Sequence, residues 1–329
     1  MIAQLNDLYI KFSKRRTYSR LISYFMFEGR PLTTKGQWIN PIIKTLHNFF
    51  KYLPLKKVDA PIYIIGTGRS GTTILGVIMS MHKQIGFLNE PKIIWNSINP
   101  NEDVIGSYSK KQASFILDES HASKKQSRSL NRIYNSYLKF SLNSRVLDKY
   151  PELVFRVPYV LKLVPDAKFL FLVRNGNDTC NSIDLWSKRL GKQNENEIHD
   201  WWGRDNRKWI LLKDQIIKQD PDYSSLLPII DQVNNHKEMA AIEWIVSMNY
   251  GLKFEKLYPN SIYRVKYENL TKDPVKELNN IFSFCELESD QRTTEYGSSI
   301  LKENPAKSDF TMHEEVKNLF IETNKKLGY

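Results

Sequence analysis

Pro61-Ile62-Tyr63-Ile64-Ile65 runs directly into Gly66-Thr67-Gly68-Arg69-Ser70-Gly71-Thr72-Thr73. The first five residues are a short β-branched run, the composition of a strand buried in a parallel sheet. The next eight are rich in glycine and hydroxyl side chains, and a helix-period stretch from Ile74 to Met81 follows. Strand, glycine-rich turn and helix make up the unit that opens many nucleotide-binding α/β folds.

Two further units of this kind lie downstream. Lys168 to Val173 reads as a strand, Arg174-Asn175-Gly176-Asn177-Asp178 as a turn, and a helix runs on through Ser182 towards Trp186. Ser261 to Val265 reads as a strand, with a turn from Glu268 to Pro274 and a helix to Phe284. Strands alternating with helices predict an α/β fold of three layers, a central parallel sheet covered by helices on both faces. Residues 1–60 form a basic helical N-terminal extension around a loop at Gly29-Arg30-Pro31-Leu32, and 61–329 the α/β domain. Residues 99–145, rich in Ser, Lys and Asn, read as helices with mobile loops and suit a lid over an acceptor site. Met239, Ile242, Ile245, Val246 and Leu252 keep helical spacing and read as core.

Gly66 to Gly71 has the Gly-x-x-x-x-Gly spacing of a phosphate loop. Such a loop turns consecutive backbone N–H groups inward at a helix N-terminus, where the peptide dipoles favour an anion. Ser70, Thr72 and Thr73 add hydroxyl donors. A nucleoside-triphosphate loop also needs Lys followed by Ser or Thr, to reach the β/γ-phosphates and Mg²⁺. Thr72 stands in place of that lysine, and the cation is inside the loop, at Arg69. After the 168–173 strand, where a carboxylate would hold Mg²⁺, stands Arg174. Arginine in both places suits an anion bound without metal. 3′-Phosphoadenosine 5′-phosphosulfate is such a cofactor, with one anionic group for the loop and a 3′-phosphate for a second cationic site.

At these residues the chain resembles the sulfotransferase family. Arg69-Ser70-Gly71-Thr72-Thr73 is similar to the family's 5′-phosphosulfate loop in its arginine form, found in carbohydrate and tyrosyl-protein sulfotransferases. The cofactor-binding set implied runs over Gly68, Arg69, Ser70, Gly71, Thr72 and Thr73. Arg174 followed eight residues later by Ser182 resembles the family's 3′-phosphate site, although Asn175-Gly176 replaces the usual Asp-Pro or Asp-Gly. Val265-Lys266-Tyr267-Glu268-Asn269-Leu270 looks like the family's Tyr-Glu-Asp/Asn-Leu segment, whose tyrosine contacts the cofactor, here Tyr267. Lys307, in Asn304-Pro305-Ala306-Lys307, resembles a lysine that closes over the nucleotide, with Ser308 where the family has Trp. Leu327-Gly328-Tyr329 resembles the family's C-terminal end.

The resemblance implies a transfer of a sulfuryl group to an acceptor hydroxyl. Such a transfer needs an in-line acceptor, removal of its proton, and stabilisation of charge on the leaving phosphate. Arg69 suits the last task, because its planar fork makes paired charge-assisted hydrogen bonds. Glu90, in Leu88-Asn89-Glu90-Pro91, looks like the glutamate base of the carbohydrate and tyrosyl-protein branches, with pairing to a nearby arginine as its structural alternative. Lys149, in Asp148-Lys149-Tyr150-Pro151, is similar to a lysine that assists the leaving group, and Arg156 is its rival. His82 and His121 are rival bases, His82 read as a helix cap. Asp178 reads as the cap of the following helix.

The chain has 329 residues and two cysteines, Cys180 and Cys285, which excludes a disulfide scaffold. No Cys or His spacing suggests a metal site. The net charge is +12, and residues 1–60 hold eleven Lys and Arg against Asp7, Glu28 and Asp59. That segment reads as a solvated helical face packed on the domain, and alternatively as a contact for an anionic membrane surface or polyanion. No DNA- or RNA-binding signature appears. No apolar run approaches the ~20 residues of a membrane span. Together with a glycosylation sequon, Asn177-Asp178-Thr179, inside the expected 3′-phosphate turn, this points to a cytoplasmic enzyme, peripheral to the membrane if the basic segment binds lipid. The expected acceptor is a hydroxyl on a glycan or glycolipid, with a tyrosyl or small-molecule hydroxyl as the alternative. Trp186, Trp201, Trp202 and Trp209, interleaved with Arg204, Arg207 and Lys208, read as packing between helices or as a sugar-stacking surface. A P-loop kinase or NTPase, and a membrane-associated adaptor without turnover, are the competing functions.

Overall fold

The computed structural model describes residues 2–54, 56–194, 196–303 and 307–329. Helices α1 (Asp7–Phe12), α2 (Lys14–Ile22) and α3 (Asn40–Phe50) precede β1 (Ile62–Gly66) and α4 (Thr72–Met79). Then come β2 (Ile85–Asn89), α5 (Lys92–Ile98), α6 (Lys124–Ser141), β3 (Arg145–Lys149), α7 (Val157–Leu163), β4 (Lys168–Val173) and α8 (Gly176–Leu190). A small antiparallel meander, β5 (Lys192–Asn194), β6 (Glu197–Asp200) and β7 (Gly203–Arg204), leads to α9 (Arg207–Leu212) and the long α10 (His236–Leu257). The chain closes with β8 (Ile262–Lys266), α11 (Tyr267–Lys272), α12 (Pro274–Phe284), α13 (Gln291–Ile300) and α14 (Glu314–Leu327).

Five strands form one parallel sheet in the order β2-β3-β1-β4-β8. Alternate residues of β1 serve opposite layers. Tyr63 and Ile65 join one apolar cluster with α6, α8 and α10, while Ile62 and Ile64 join another with α4 and α12. The order reverses at β1, so a crevice opens at its carboxyl end, where ligands sit in open α/β sheets. Register brings the strand ends together: Asn89 pairs with Lys149, Gly66 with Leu172 and Val173 with Lys266.

β1, β4 and β8 follow the predicted segments to within one residue. β2 and β3 are two strands that the sequence pattern hid. β3 reads Arg-Val-Leu-Asp-Lys, yet all five residues are buried. Its charges are satisfied one by one. Arg145 donates to the carbonyl of Ala60, Asp148 accepts from Trp95 Nε1 (2.9 Å) and the Tyr134 hydroxyl (2.6 Å), and Lys149 pairs with Glu90. Burial pushes the Asp148 carboxyl up to about 7, with its two hydrogen bonds opposing.

Residues 1–60 pack on the α/β body, but three of their arginines are buried rather than solvated. β2 is an edge strand, and side chains stand where a neighbouring strand would be. Arg16 donates to the carbonyl of Ile85 (3.0 Å) and Arg20 to that of Phe87 (2.6 Å), and the Asn89 amide donates to Glu28 (2.7 Å). Arg20 and Glu28 form an ion pair at 2.7 Å with both side chains almost fully buried. Arg30 donates to the Glu28 and Tyr24 carbonyls. The edge is thereby closed without a sixth strand. Among the described residues no helix is long and apolar enough to cross a membrane.

Removing one member of a buried pair strands the other charge, at a cost of about 3 kcal/mol. Glu28→Gln is therefore expected to lower the unfolding free energy by about that amount in urea titration. A loss below about 1 kcal/mol, the range of exposed pairs, would show that the clamp does not hold the edge.

Candidate active site

The loop between β1 and α4 is built on backbone that most residues avoid. Gly71 caps α4 with φ 100°, and Arg69 has φ 68°. A side chain on Gly71 would run into the Tyr267 ring, and one on Gly68 into Trp201, so both rings pack directly on the loop. No side chain caps α4, which leaves its first N–H groups free for an anion. Ser70 is fully buried, and its hydroxyl has no partner; neither has the Thr67 hydroxyl nor the Nε of Arg174. Buried polar atoms without partners are costly, and here three of them lie at the ends of β1 and β4.

The structure brings the distant sequence candidates to this loop. Arg69 Nε donates to Ser182 Oγ (3.3 Å), and Arg174 donates to the Arg69 carbonyl (3.4 Å). The Arg174 guanidinium lies 4.5 Å from the Tyr267 ring centre. Asp178 pairs with Arg174 (3.5 Å) and accepts from the backbone N–H of Lys307 (2.8 Å). Asp178 is thus not the cap of α8; Asn175 is, its side chain accepting from Asn177 N. Asn304, Pro305 and Ala306, the remainder of the Lys307 motif, lie outside the described residues.

Positive charge accumulates here. Burial lowers the Arg69 pKa, and Arg189 and Arg174 lower it further, with Glu90 opposing. Burial likewise lowers Lys307, together with Arg174, Arg69 and Lys237, with Asp178 opposing. Like charges therefore crowd together at this end of the sheet, the arrangement found where an anion is bound. Arg189 and Lys237 sit in ordinary helical sequence, and nothing in it set them apart.

Glu90 follows β2 with φ 51°, its amide held by the Lys149 carbonyl at 2.7 Å. Glu28, through the Asn89 amide, fixes the residue just before it. The Glu90 carboxylate pairs with Lys149 and lies 3.7 Å from Lys92, which also pairs with Glu152 at 2.9 Å. Its partners are lysines, where an arginine was the structural alternative. The Glu90 side chain remains 40% exposed, whereas Lys149 is buried. Burial pushes the Glu90 pKa up, but Lys149 and Lys92 outweigh it and hold the carboxyl below its ordinary range.

All three rivals fall away from this cluster. Arg156 is buried on Glu102 (3.2 Å) and on the carbonyls of Glu102, Ser114 and Phe115. His82 packs beyond α4 against the Glu288 carbonyl, and His121 pairs with Asp118 on the surface. Neither histidine lines the cavity.

Arg69, Thr72, Thr73 and Glu90 open into one cavity of about 410 Å³. Its far wall comes from the N-terminal segment, including Tyr24 and Gly29 to Thr34, and from Ile105, Ser107 and Tyr108 of the expected lid region. The tryptophans divide. Trp202 and Trp209 are buried edge-to-face, while Trp186 and Trp201 line the cavity 5.5 Å apart. Trp201 is held by Glu243 (2.6 Å), which also pairs with the buried Lys208. Glu243 interrupts an otherwise apolar helical run, and a carboxylate in that position was the one available signal for it.

Residues 61–223 match the model of the sulfotransferase family. An uncharacterized protein of Aquifex aeolicus (strain VF5) is 26% identical over 243 residues, which are 72% of this chain and 26% of that protein. The chain thus spans about a quarter of the length of the curated relative it matches. Among solved structures, a sulfotransferase from Mycobacterium avium aligns with TM-score 0.49 and 12% identity, covering 99% of this chain and 97% of that one. The sulfotransferase domain of the curacin biosynthetic pathway aligns with TM-score 0.48 and 14% identity, covering 83% and 99%. Residues 61–223, the segment that carries the phosphate loop, Glu90, Lys149, Arg174 and Ser182, are the part of the chain that matches the sulfotransferase family.

Proposed function

We propose that the chain transfers a sulfuryl group from 3′-phosphoadenosine 5′-phosphosulfate to an acceptor hydroxyl on a carbohydrate or glycolipid, with Glu90 as general base. The observation that carries the reading is one cavity with the arginine of an uncapped phosphate loop on one side and an ionised carboxylate on the other. The unpartnered Ser70, Thr67 and Arg174 atoms and the mutually repelling cations fit a doubly anionic nucleotide.

Bound there, the phosphosulfate supplies an electrophilic sulfuryl group on a phosphate leaving group. The N–H groups of Gly68 to Thr73 and the hydroxyls of Ser70, Thr72 and Thr73 would hold the 5′ end. Arg174, Ser182 and Lys307 would hold the 3′-phosphate, and Tyr267 packs on the loop at Gly71. Arg69 and Lys149 neutralise charge as it develops. Glu90 accepts the acceptor's proton at its carboxylate. A carboxylate of lowered pKa is a weak base, which suits a hydroxyl whose acidity rises as its oxygen bonds to sulfur. Lys149 keeps this carboxylate ionised, and protonation of Glu90 loosens its hold on the ammonium. Trp186, Trp201, Tyr24 and Tyr108 line the cavity with rings, and the Arg204 guanidinium lines it beside them, a mixture that suits a sugar. The basic N-terminal segment supports a peripheral membrane location.

The direct test is transfer from radiolabelled phosphosulfate to a panel of glycans and glycolipids. Glu90→Gln should retain donor binding and lose turnover by ~10²-fold or more. Arg174→Ala should weaken donor binding by about tenfold or more, the loss of one charge-assisted contact. Unchanged turnover in Glu90→Gln would remove it as the base. Transfer only to phenolic or peptide tyrosine hydroxyls would overturn the carbohydrate acceptor.

The pH profile gives a separate check. Because the Glu90 pKa is lowered, its base form persists as pH falls, and the acidic limb of kcat/KM should lie below the ordinary 4.5. Lys149→Met removes the largest downward influence, so the limb should move up. A limb that stays in place in Lys149→Met would mean that it belongs to another group.

A further inference from the structure

α3 is apolar on two sides. It turns Ile43, His47 and Phe50 into the core. On the opposite side Ile42 and Phe49 are 53% and 61% exposed, and the flanking Trp38 and Tyr52 are 75% and 84% exposed. Positions 38, 42, 49 and 52 share one side of a helical path. Phe140, whose ring lies 5.7 Å from Phe50, and Leu142 add exposed apolar surface at the end of α6. None of these residues lines the cavity.

Basic residues cluster on a flank of α3 and on the neighbouring α6. Burial lowers the Lys51 pKa, and Lys44 and Lys125 lower it further, so three lysines share one region. α6 presents Lys125, Arg128, Arg132 and Lys139 at helical spacing, and Arg132 donates to the Lys51 carbonyl at 2.7 Å. No Asp or Glu occurs from residue 29 to 58 or from 122 to 147. Among the described residues no carboxylate forms an ion pair with Lys44, Lys51, Lys125, Arg128, Arg132 or Lys139.

We propose that this face docks on an anionic lipid bilayer, with Trp38, Phe49 and Tyr52 entering the headgroup boundary and the lysines and arginines meeting lipid phosphates. Aromatic rings favour that boundary, and each nearby cation adds electrostatic attraction. A soluble polyanion would satisfy the charges and leave the stripe in water, whereas a bilayer satisfies both. The surface is separate from the sulfuryl-transfer site, and the proposal does not depend on that chemistry. In the chain, Trp38 follows the cavity-lining Thr34 by four residues, so docking brings the far wall of the cavity close to the lipid.

The experiment is flotation of the full chain with vesicles of phosphatidylcholine alone and of phosphatidylcholine mixed with phosphatidylglycerol. Circular dichroism and the thermal unfolding midpoint serve as the control for intact folding. The wild type should float with the anionic vesicles only, and less as salt rises. Lys44→Gln and Lys125→Gln should each weaken binding about fivefold. The exposed triple variant Trp38→Ser, Phe49→Ser, Tyr52→Ser should lose flotation and keep the wild-type fold and unfolding midpoint. Wild type that floats with neither vesicle overturns the proposal. So does a triple variant that floats like the wild type, which would leave a polyanion surface. So does a concentration-dependent dimer that the triple variant abolishes without any flotation, which would make the face an interface between copies.

Discussion

Like charges are held together at the carboxyl ends of the sheet, and the fold is arranged around that constraint. Arg189 and Arg174 crowd Arg69, Arg174 and Arg69 crowd Lys307, and Asp178 is a carboxylate placed among them. Such a cluster persists because the strands behind it cannot move. β1 is buried along its whole length, and its register with β3 and β4 sets where each strand ends. Strain is stored in the same place: Arg69 and Glu90, which face one cavity, both have left-handed backbone. On the proposed function, a bound anion would relieve the repulsion and satisfy the orphaned hydroxyls together.

The opposite wall is set by a different interaction. Glu90 ends an edge strand, and an edge strand has no partner to hold its outer side. Arg16, Arg20 and Glu28 supply side chains there, so the N-terminal segment both stabilises the sheet and fixes the residue ahead of the carboxylate. The eleven basic residues of this segment therefore serve two ends. Arg16, Arg20 and Arg30 point inward and are buried, while several lysines point outward with the aromatic stripe of α3. Net charge read from the sequence cannot separate these roles, because separation depends on which helix face meets the edge of β2.

Legibility in the sequence followed locality. The phosphate loop and Arg174 directly follow the apolar strands β1 and β4, Ser182 lies in the helix after β4, and Tyr267 directly follows β8. β2 and β3 were not legible in this way. Gly86 interrupts one, and the other carries Arg145, Asp148 and Lys149 at buried positions that only partners from elsewhere in the chain make tolerable. Lys149 and Glu90 pair across 59 positions, and Glu28 reaches Asn89 across 61. Trp186 and Trp201 were indistinguishable from Trp202 and Trp209 until the meander placed two rings on the cavity and two in the core.

The measurement that bears most directly on the cation cluster is calorimetric titration of the full chain with adenosine 3′,5′-bisphosphate in a chelator, and separately with ATP and Mg²⁺. A bisphosphate site formed by the strand-end arginines predicts tight binding without metal, weakened by added salt and lost in Arg174→Ala. Binding of ATP only with Mg²⁺, and none of the bisphosphate, would contradict it and place the chain among P-loop kinases or NTPases.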